Sequence, residues 1–412
     1  MVNQAPQNDR LSATVILCVV TAILEGLDIQ SIGVAAPKLL PEYGLNAAQA
    51  GYLFSSSIVG LFFGAFIGGA LSDRLGRKWI LVASVGLFGL FSLLTPAAPD
   101  LKTLIAMRCL TGVGLGGAMP NLLVLLSEYA PQRWKTQWAT AICAGMPLGG
   151  LLAAQIAAMP HTDWRMIFVA GGLPALLVAL LMAFMLPGPL PDRTEQPSAR
   201  PETQGWRIAL GGDRRSVPTA MLWISHFFTL LILYLLLNWL PTLMAVRGFS
   251  RSDAALSSAA YNVGAVLGAL SLALLLEILS RRMILLLVYA GMAGGLVGLA
   301  LASLSLTQAL IFAAISGFFV IGGQYVLYGI TPNFYPARFR GRGVGAAIAV
   351  GRLGGIVGPI MAGQLLVAGY PIPHLLLSLL LLVLVAALAI LTAAAAFPEA
   401  NPAHSLSSSG VR

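Results

Sequence analysis

Long apolar stretches alternate with short polar connections along the whole chain. A helix needs about 20 mostly apolar residues to cross the hydrocarbon core of a bilayer. Twelve stretches reach that length: 12–36, 49–71, 79–97, 102–126, 137–159, 165–186, 217–241, 253–276, 283–303, 308–331, 343–368 and 373–397. The pattern predicts an all-α membrane protein with twelve transmembrane helices. A break over 187–216, rich in Pro, Arg and Glu, separates six spans from six. The organisation this implies is an N-terminal six-helix bundle over 1–186, a cytoplasmic linker over 187–216, and a C-terminal six-helix bundle with a short tail over 217–412. The first stretch reads as a retained span and not a cleaved signal peptide, because Glu25 and Asp28 interrupt it and eleven spans follow.

Composition narrows the class. Of 412 residues, 58% are hydrophobic and only 9% are Asp, Glu, Lys or Arg, where a soluble domain carries about 25% charged residues. This excludes a soluble enzyme, a nucleic-acid binder and a disordered scaffold. The net charge of +9 reads as topology once its placement is considered. Seventeen Lys and Arg residues fall at the termini, in the linker and in the connections that share their side; five (Lys38, Lys102, Arg165, Arg247, Arg251) fall on the other, and Arg108 and Arg352 lie within spans. Basic residues stay on the cytoplasmic side, so both termini are expected there, in a bacterial inner membrane. Cys18, Cys109 and Cys143 all sit in apolar stretches and form no disulfide framework. The chain has no G-x-x-x-x-G-K-[ST] loop, no metal-ligand spacing and no Ser/His/Asp set. The expectation is a carrier that is not an enzyme and needs no cofactor or metal, with a proton gradient as its energy source.

The two halves repeat at an offset of about 204–205. Pro37 and Gly44 match Pro241 and Gly248; Asp73 and Arg77-Lys78 match Glu277 and Arg281-Arg282; Gly112 matches Gly317, Arg133 matches Arg338, and Gly149-Gly150 matches Gly354-Gly355. Two similar six-span halves suit an alternating-access carrier with its substrate site between them near the midplane.

The connection between spans 2 and 3 reads Gly69-Ala70-Leu71-Ser72-Asp73-Arg74-Leu75-Gly76-Arg77-Lys78. On this loop the sequence resembles the major facilitator superfamily, whose fold of two pseudo-symmetric six-helix halves the resemblance implies. A tight turn between helices needs Gly76, and Asp73 can pair with arginines or face a helix N-terminus. Contacts of that kind form a conformational latch, so Gly69, Asp73, Arg74, Gly76, Arg77 and Lys78 are expected to hold one state; the copy around Glu277 lacks the Gly and the first Arg. Span 4 reads Arg108-Cys109-Leu110-Thr111-Gly112-Val113-Gly114-Leu115-Gly116-Gly117. Its glycines at Gly112 and Gly116 suit close helix packing better than a dinucleotide loop. The resemblance assigns Arg108 a part in proton coupling; the plainer reading is an arginine that snorkels outward.

Glu25 and Asp28, spaced i, i+3, share a face of span 1 with Thr14, Cys18 and Thr21. Intramembrane carboxylates mark function by default, and two that repel when ionised are suited to take up and release a proton. A fixed ion pair between Asp28 and Arg108 is the competing reading. In span 11, Arg352 offers a two-pronged match to a substrate carboxylate. Its repeat counterpart is Pro147, so no repeat-wide structural need explains it. Candidates for ring contacts and hydrogen bonds are Gln324, Tyr325 and Tyr328 in span 10, Tyr234 and Asn238 in span 7, and Tyr261 in span 8. Nearby, His226 reads as structural and Trp239 as a membrane-interface residue.

The acid-Gly-x-acid of span 1, the loop at Asp73 and the arginine of span 11 are together similar to the aromatic acid:proton symporter family. The Glu25-Gly26-Leu27-Asp28 form and the stretches at Gly112–Asn121, Asn238–Pro241, Gly322–Gln324 and Ala349–Leu353 add to that likeness, within the family, to its hydroxyphenylpropionate carriers. Many members have Asp where Glu25 stands. The resemblance implies a monomeric importer of a small aromatic carboxylate, hydroxyphenylpropionate- or hydroxybenzoate-like, by proton symport. Glu25 and Asp28 would carry protons, Arg108 would tune them, and Arg352 would hold the substrate. Two alternatives share these residues: a proton-coupled exporter of drugs or organic anions, and a membrane sensor of aromatic acids.

Overall fold

The computed structural model describes residues 5–129, 135–186, 216–302, 305–335 and 340–396, with no strand among them. Twelve long helices follow one another: α1 (Ala5–Glu42), α2 (Ala47–Leu75), α3 (Arg77–Leu94), α4 (Leu101–Tyr129), α5 (Lys135–Ala158), α6 (Arg165–Met185), α7 (Ser216–Val246), α8 (Arg251–Ile278), α9 (Arg281–Leu301), α10 (Leu306–Ile330), α11 (Arg340–Val367) and α12 (Ile372–Ala396). Each apolar stretch falls on one helix, and α1 runs several residues beyond its stretch at both ends. Among the described residues, eleven helices meet the length and hydropathy needed to span a membrane; α4, which carries Arg108, is the remaining one. Residues 187–215 lie outside the described residues, and the expected linker with them.

Many large apolar side chains are exposed. Phe184, Ile278 and Leu301 are 81%, 78% and 70% exposed. Water would penalise such a surface and lipid does not. Polar side chains instead turn inward: Thr14, Cys18, Thr21, Glu25 and Asp28, the stripe expected on span 1, are all buried.

Glycine governs how closely the helices approach. Gly112 lies against the Ser57 carbonyl of α2 and Gly116 against that of Leu61, with no room for a side chain, so the span-4 glycines are packing residues. The repeat appears in the same contacts. Gly317, the counterpart of Gly112, lies against the carbonyl of Tyr261, the counterpart of Ser57. Gly149 meets the Ile23 carbonyl while Gly354 meets that of Phe227, again at the same offset. Both halves also close their first helix alike. Gly44 and Gly248 adopt φ of 61° and 96°, and the amides of Leu45 and Phe249 return to the carbonyls of Leu40 and Met244 at 2.9 and 3.2 Å, a left-handed C-terminal cap.

α1, α2 and α5 pack against α7, α8 and α11 across the middle of the molecule. At the end that carries the 43–46 and 247–250 turns, three hydrogen bonds cross this seam: Ser252 Oγ donates to the Ala158 carbonyl at 2.8 Å, Gln364 Nε2 to Tyr52 Oη at 3.2 Å, and Ser55 Oγ to the Ile356 carbonyl at 2.6 Å. Trp239 is buried in the seam, edge-on to Phe54 at 5.1 Å and donating to the Pro359 carbonyl at 3.0 Å. The interfacial reading of Trp239 is therefore corrected: at its level α7 faces the other half, and the ring is enclosed there.

Candidate functional site

α1 and α4 cross where Gly60, Gly64 and Gly112 let α2 draw close to α4. There Arg108, 0% exposed, meets Asp28, also 0% exposed. Arg108 Nη1 approaches Asp28 Oδ2 at 3.2 Å, Nη2 donates to the Asp28 backbone carbonyl at 2.9 Å, and Nε donates to Ser57 Oγ at 3.1 Å. Ser92 Oγ donates to Asp28 Oδ1, and the guanidinium carbon stands 5.5 Å from the Phe168 ring centre. Arg108 does not snorkel. Both charges are compensated, the condition under which a buried pair persists.

Glu25, one turn earlier, has a different environment. It is 1% exposed, and its Oε1 has no hydrogen-bond partner among the described residues. The charge within reach is that of Arg352 on α11. Arg352 is half-buried, donates to the Leu61 carbonyl of α2 at 3.3 Å, and acts electrostatically on Tyr234 and Tyr328 as well. The two carboxylates of span 1 share a helix face, and Asp28 alone of the two makes an ion pair among the described residues.

A cavity of about 110 Å³ opens between α1, α5, α7 and α10. Tyr234, Tyr325, Tyr328, Gln324 and Gln30 supply its polar and aromatic lining, with Met146, Pro147 and several Leu and Ile side chains. Four expected substrate residues, Gln324, Tyr325, Tyr328 and Tyr234, thus converge on one space. Asn238 lies instead on a smaller neighbouring cavity with Ser57 and Leu61, its amide donating to the Tyr234 carbonyl at 2.8 Å. Tyr261 is buried against Gly317, away from the lining. Arg352 stands beside the cavity without forming its wall.

Gln30, Ser57 and Ser92, which the sequence did not single out, complete the site together with Asn262 and Tyr325, which it did. Gln30 on the cavity wall and Asn262 on α8 exchange two hydrogen bonds, 2.9 and 2.7 Å, across the seam. Tyr325 Oη donates to the Cys143 carbonyl of the opposite half at 2.8 Å. Gln30, Ser57 and Ser92 are ordinary residues of apolar helices, and only their tertiary neighbours reveal them.

The side chain of Asp73 lies outside the described residues. Around it, Gly76 turns α2 into α3 at φ 85°, and Ser72 Oγ donates to the Gly69 carbonyl at 2.8 Å. Lys78 Nζ reaches the Leu186 carbonyl behind α6 at 2.7 Å, while Arg74 and Arg77 are exposed. The second copy replaces the glycine by Ser280, whose Oγ accepts from the Met283 amide at 3.4 Å.

The Major Facilitator Superfamily profile matches residues 18–359. The 3-(3-hydroxy-phenyl)propionate transporter of Escherichia coli is 42% identical over 364 residues, 88% of this chain and 89% of that protein. The 4-hydroxybenzoate transporter PcaK of Pseudomonas aeruginosa is 33% identical over 425 residues, covering 95% and 94%. Among solved structures, a D-xylose-proton symporter superposes with a TM-score of 0.76 at 18% identity, over 94% of this chain and 98% of that one, which is a likeness of fold. Taken with the twelve helices and the cavity between them, these matches mean that the chain belongs to the Major Facilitator Superfamily and is a multi-pass membrane transporter, not an enzyme.

Proposed function

We propose that this transporter imports a small aromatic carboxylate together with protons, by alternating access. The observation that carries the reading is the cavity walled by three tyrosines beside a buried carboxylate whose Oε1 is unpartnered. An aromatic ring gains from tyrosine faces and edges, and both relatives named above carry aromatic acids in their names.

Arg352 gives the coupling a physical basis. One guanidinium stands within electrostatic reach of both Glu25 and the tyrosines of the cavity. It compensates one carboxylate well. When the substrate carboxylate takes Arg352, Glu25 is left as an uncompensated buried charge and is best accommodated by a proton. Substrate and proton then travel together. Symport also answers the membrane potential, which opposes anion entry by about 2.3 kcal/mol per charge per 100 mV; two protons per monoanion make entry electrogenic inward, and one makes it neutral. Asp28, already paired with Arg108, is the second candidate proton site, and the loop at Asp73 is the candidate latch.

With both termini in the cytoplasm of a bacterial inner membrane, the end of the seam that carries the 43–46 and 247–250 turns is the outer one. The working unit is one chain.

Counterflow in proteoliposomes tests the substrate class. Hydroxyphenylpropionates and benzoates are predicted to compete for labelled-substrate exchange, and the non-aromatic acid shikimate is not. Binding of the aromatic acids without counterflow would indicate a sensor, and efflux coupled to proton entry in cells would indicate an exporter.

A further inference from the structure

The Gln324 amide is held in one orientation by two groups that do not line the cavity. Thr331 Oγ1 donates its single hydrogen to the Leu327 carbonyl at 2.6 Å. Toward His226 Nε2, 2.8 Å away, it can therefore only accept. Nε2 must carry the ring hydrogen. His226 is fully enclosed, and no carboxylate hydrogen-bonds to it among the described residues. A buried ring without a counter-charge is neutral, so Nδ1 is bare and accepts. The group facing Nδ1 at 3.3 Å is then the Gln324 NH2 and not its oxygen. The imidazole also stacks on Tyr328, with ring centres 5.8 Å apart at 24°.

This relay has a consequence inside the cavity. Gln324 lines it, and Gln324 Oε1 is buried with no hydrogen-bond partner among the described residues. Buried acceptors normally find a donor. A carboxylate accepts only and cannot supply one, whereas a phenolic O–H can. Resting on the aromatic-acid reading above, we propose that Gln324 Oε1 is the acceptor that selects a ring hydroxyl on the substrate, and that His226 and Thr331 are the positioning residues that keep this oxygen turned toward it. The substrate then lies with its hydroxyl at α10 and its carboxylate toward Arg352.

The test compares two acids that differ only in that hydroxyl, 3-(3-hydroxyphenyl)propionate and 3-phenylpropionate, by the apparent affinity of each in proteoliposome counterflow. The wild-type carrier is predicted to favour the hydroxylated acid by about tenfold or more, since a site built to bond a hydroxyl disfavours the analogue without one. Gln324→Leu is predicted to bring the ratio close to one. Thr331→Val, which keeps the shape but removes the hydroxyl, frees the histidine tautomer and the amide and lowers the ratio; Thr331→Ser restores the relay and the ratio. A wild-type ratio near one, or a ratio retained in Gln324→Leu, would overturn the proposal while leaving aromatic transport standing. Should Gln324→Leu fail to insert, the Thr331 pair decides: equal ratios in Val and Ser overturn it. If the wild type moves neither these acids nor any benzoate, the aromatic reading itself fails and this proposal falls with it.

Discussion

Arg108 and Asp28 illustrate how little tolerance a buried charge has. Each is fully enclosed, and each satisfies the other through a side-chain contact and a backbone carbonyl. Removing one partner strands the other, a loss of about 3–5 kcal/mol in comparable pairs. Arg108→Ala is therefore predicted to lower the melting temperature of the purified carrier sharply, and the double variant Arg108→Gln/Asp28→Asn is predicted to recover much of it. If Arg108→Ala melts with the wild type, the pair is not structural. The spacing of Glu25 and Asp28 already placed both on the inner face, because i, i+3 neighbours share a face whatever surrounds them. Their different circumstances were not legible. Ser57 and Ser92 complete the Asp28 site from α2 and α3, and a serine in an apolar helix carries no mark of its partner.

At the scale of the element, the same limit applies to glycine. Gly112 and Gly116 announce themselves by spacing, as small residues four apart do, and both lie against α2. Gly26, alone between Glu25 and Asp28, does not. Yet it packs directly on the backbone of Met146, and Gly149 returns the contact at Ile23. These two contacts set how near α1 lies to α5, and so the width of the cavity that Gly26 and Met146 both line. A methyl group at Gly26 forces the helices apart, at about 1–3 kcal/mol for overpacking of this kind. Gly26→Ala is predicted to destabilise the carrier in a thermal melt. Gly294→Ala, at an exposed position with open space where a Cβ would sit, is predicted to be neutral or slightly stabilising through helix propensity. Equal effects from the two would mean that helix propensity, and not the α1–α5 approach, governs both. Trp239 was misjudged at this scale for a related reason. Its distance along α7 fits a membrane boundary, but the belt rule describes faces in contact with lipid, and this face meets Phe54 of the other half.

In the whole molecule, the internal repeat links sequence to architecture most directly. Its common offset could be read from prolines and glycines because those residues answer backbone demands that both halves share: the left-handed caps at Gly44 and Gly248, and the helix crossings at Gly112 and Gly317. The asymmetric parts were harder to read. Arg352 and Pro147 occupy equivalent positions with no shared role, and the Gln30–Asn262 amide pair joins residues 232 positions apart. Function resides in such departures from symmetry, since a site between two halves needs a different group from each. The coupling proposed here depends on one of them: Glu25 from the first half and the substrate carboxylate alternate on Arg352 from the second. The most direct test is uptake of labelled 3-(3-hydroxyphenyl)propionate into proteoliposomes under an imposed inward proton gradient, comparing the wild type with Glu25→Gln and Asp28→Asn. The account predicts gradient-driven accumulation by the wild type and its loss in both variants, with Glu25→Gln still exchanging substrate at equilibrium. Wild-type levels of accumulation in Glu25→Gln would contradict it.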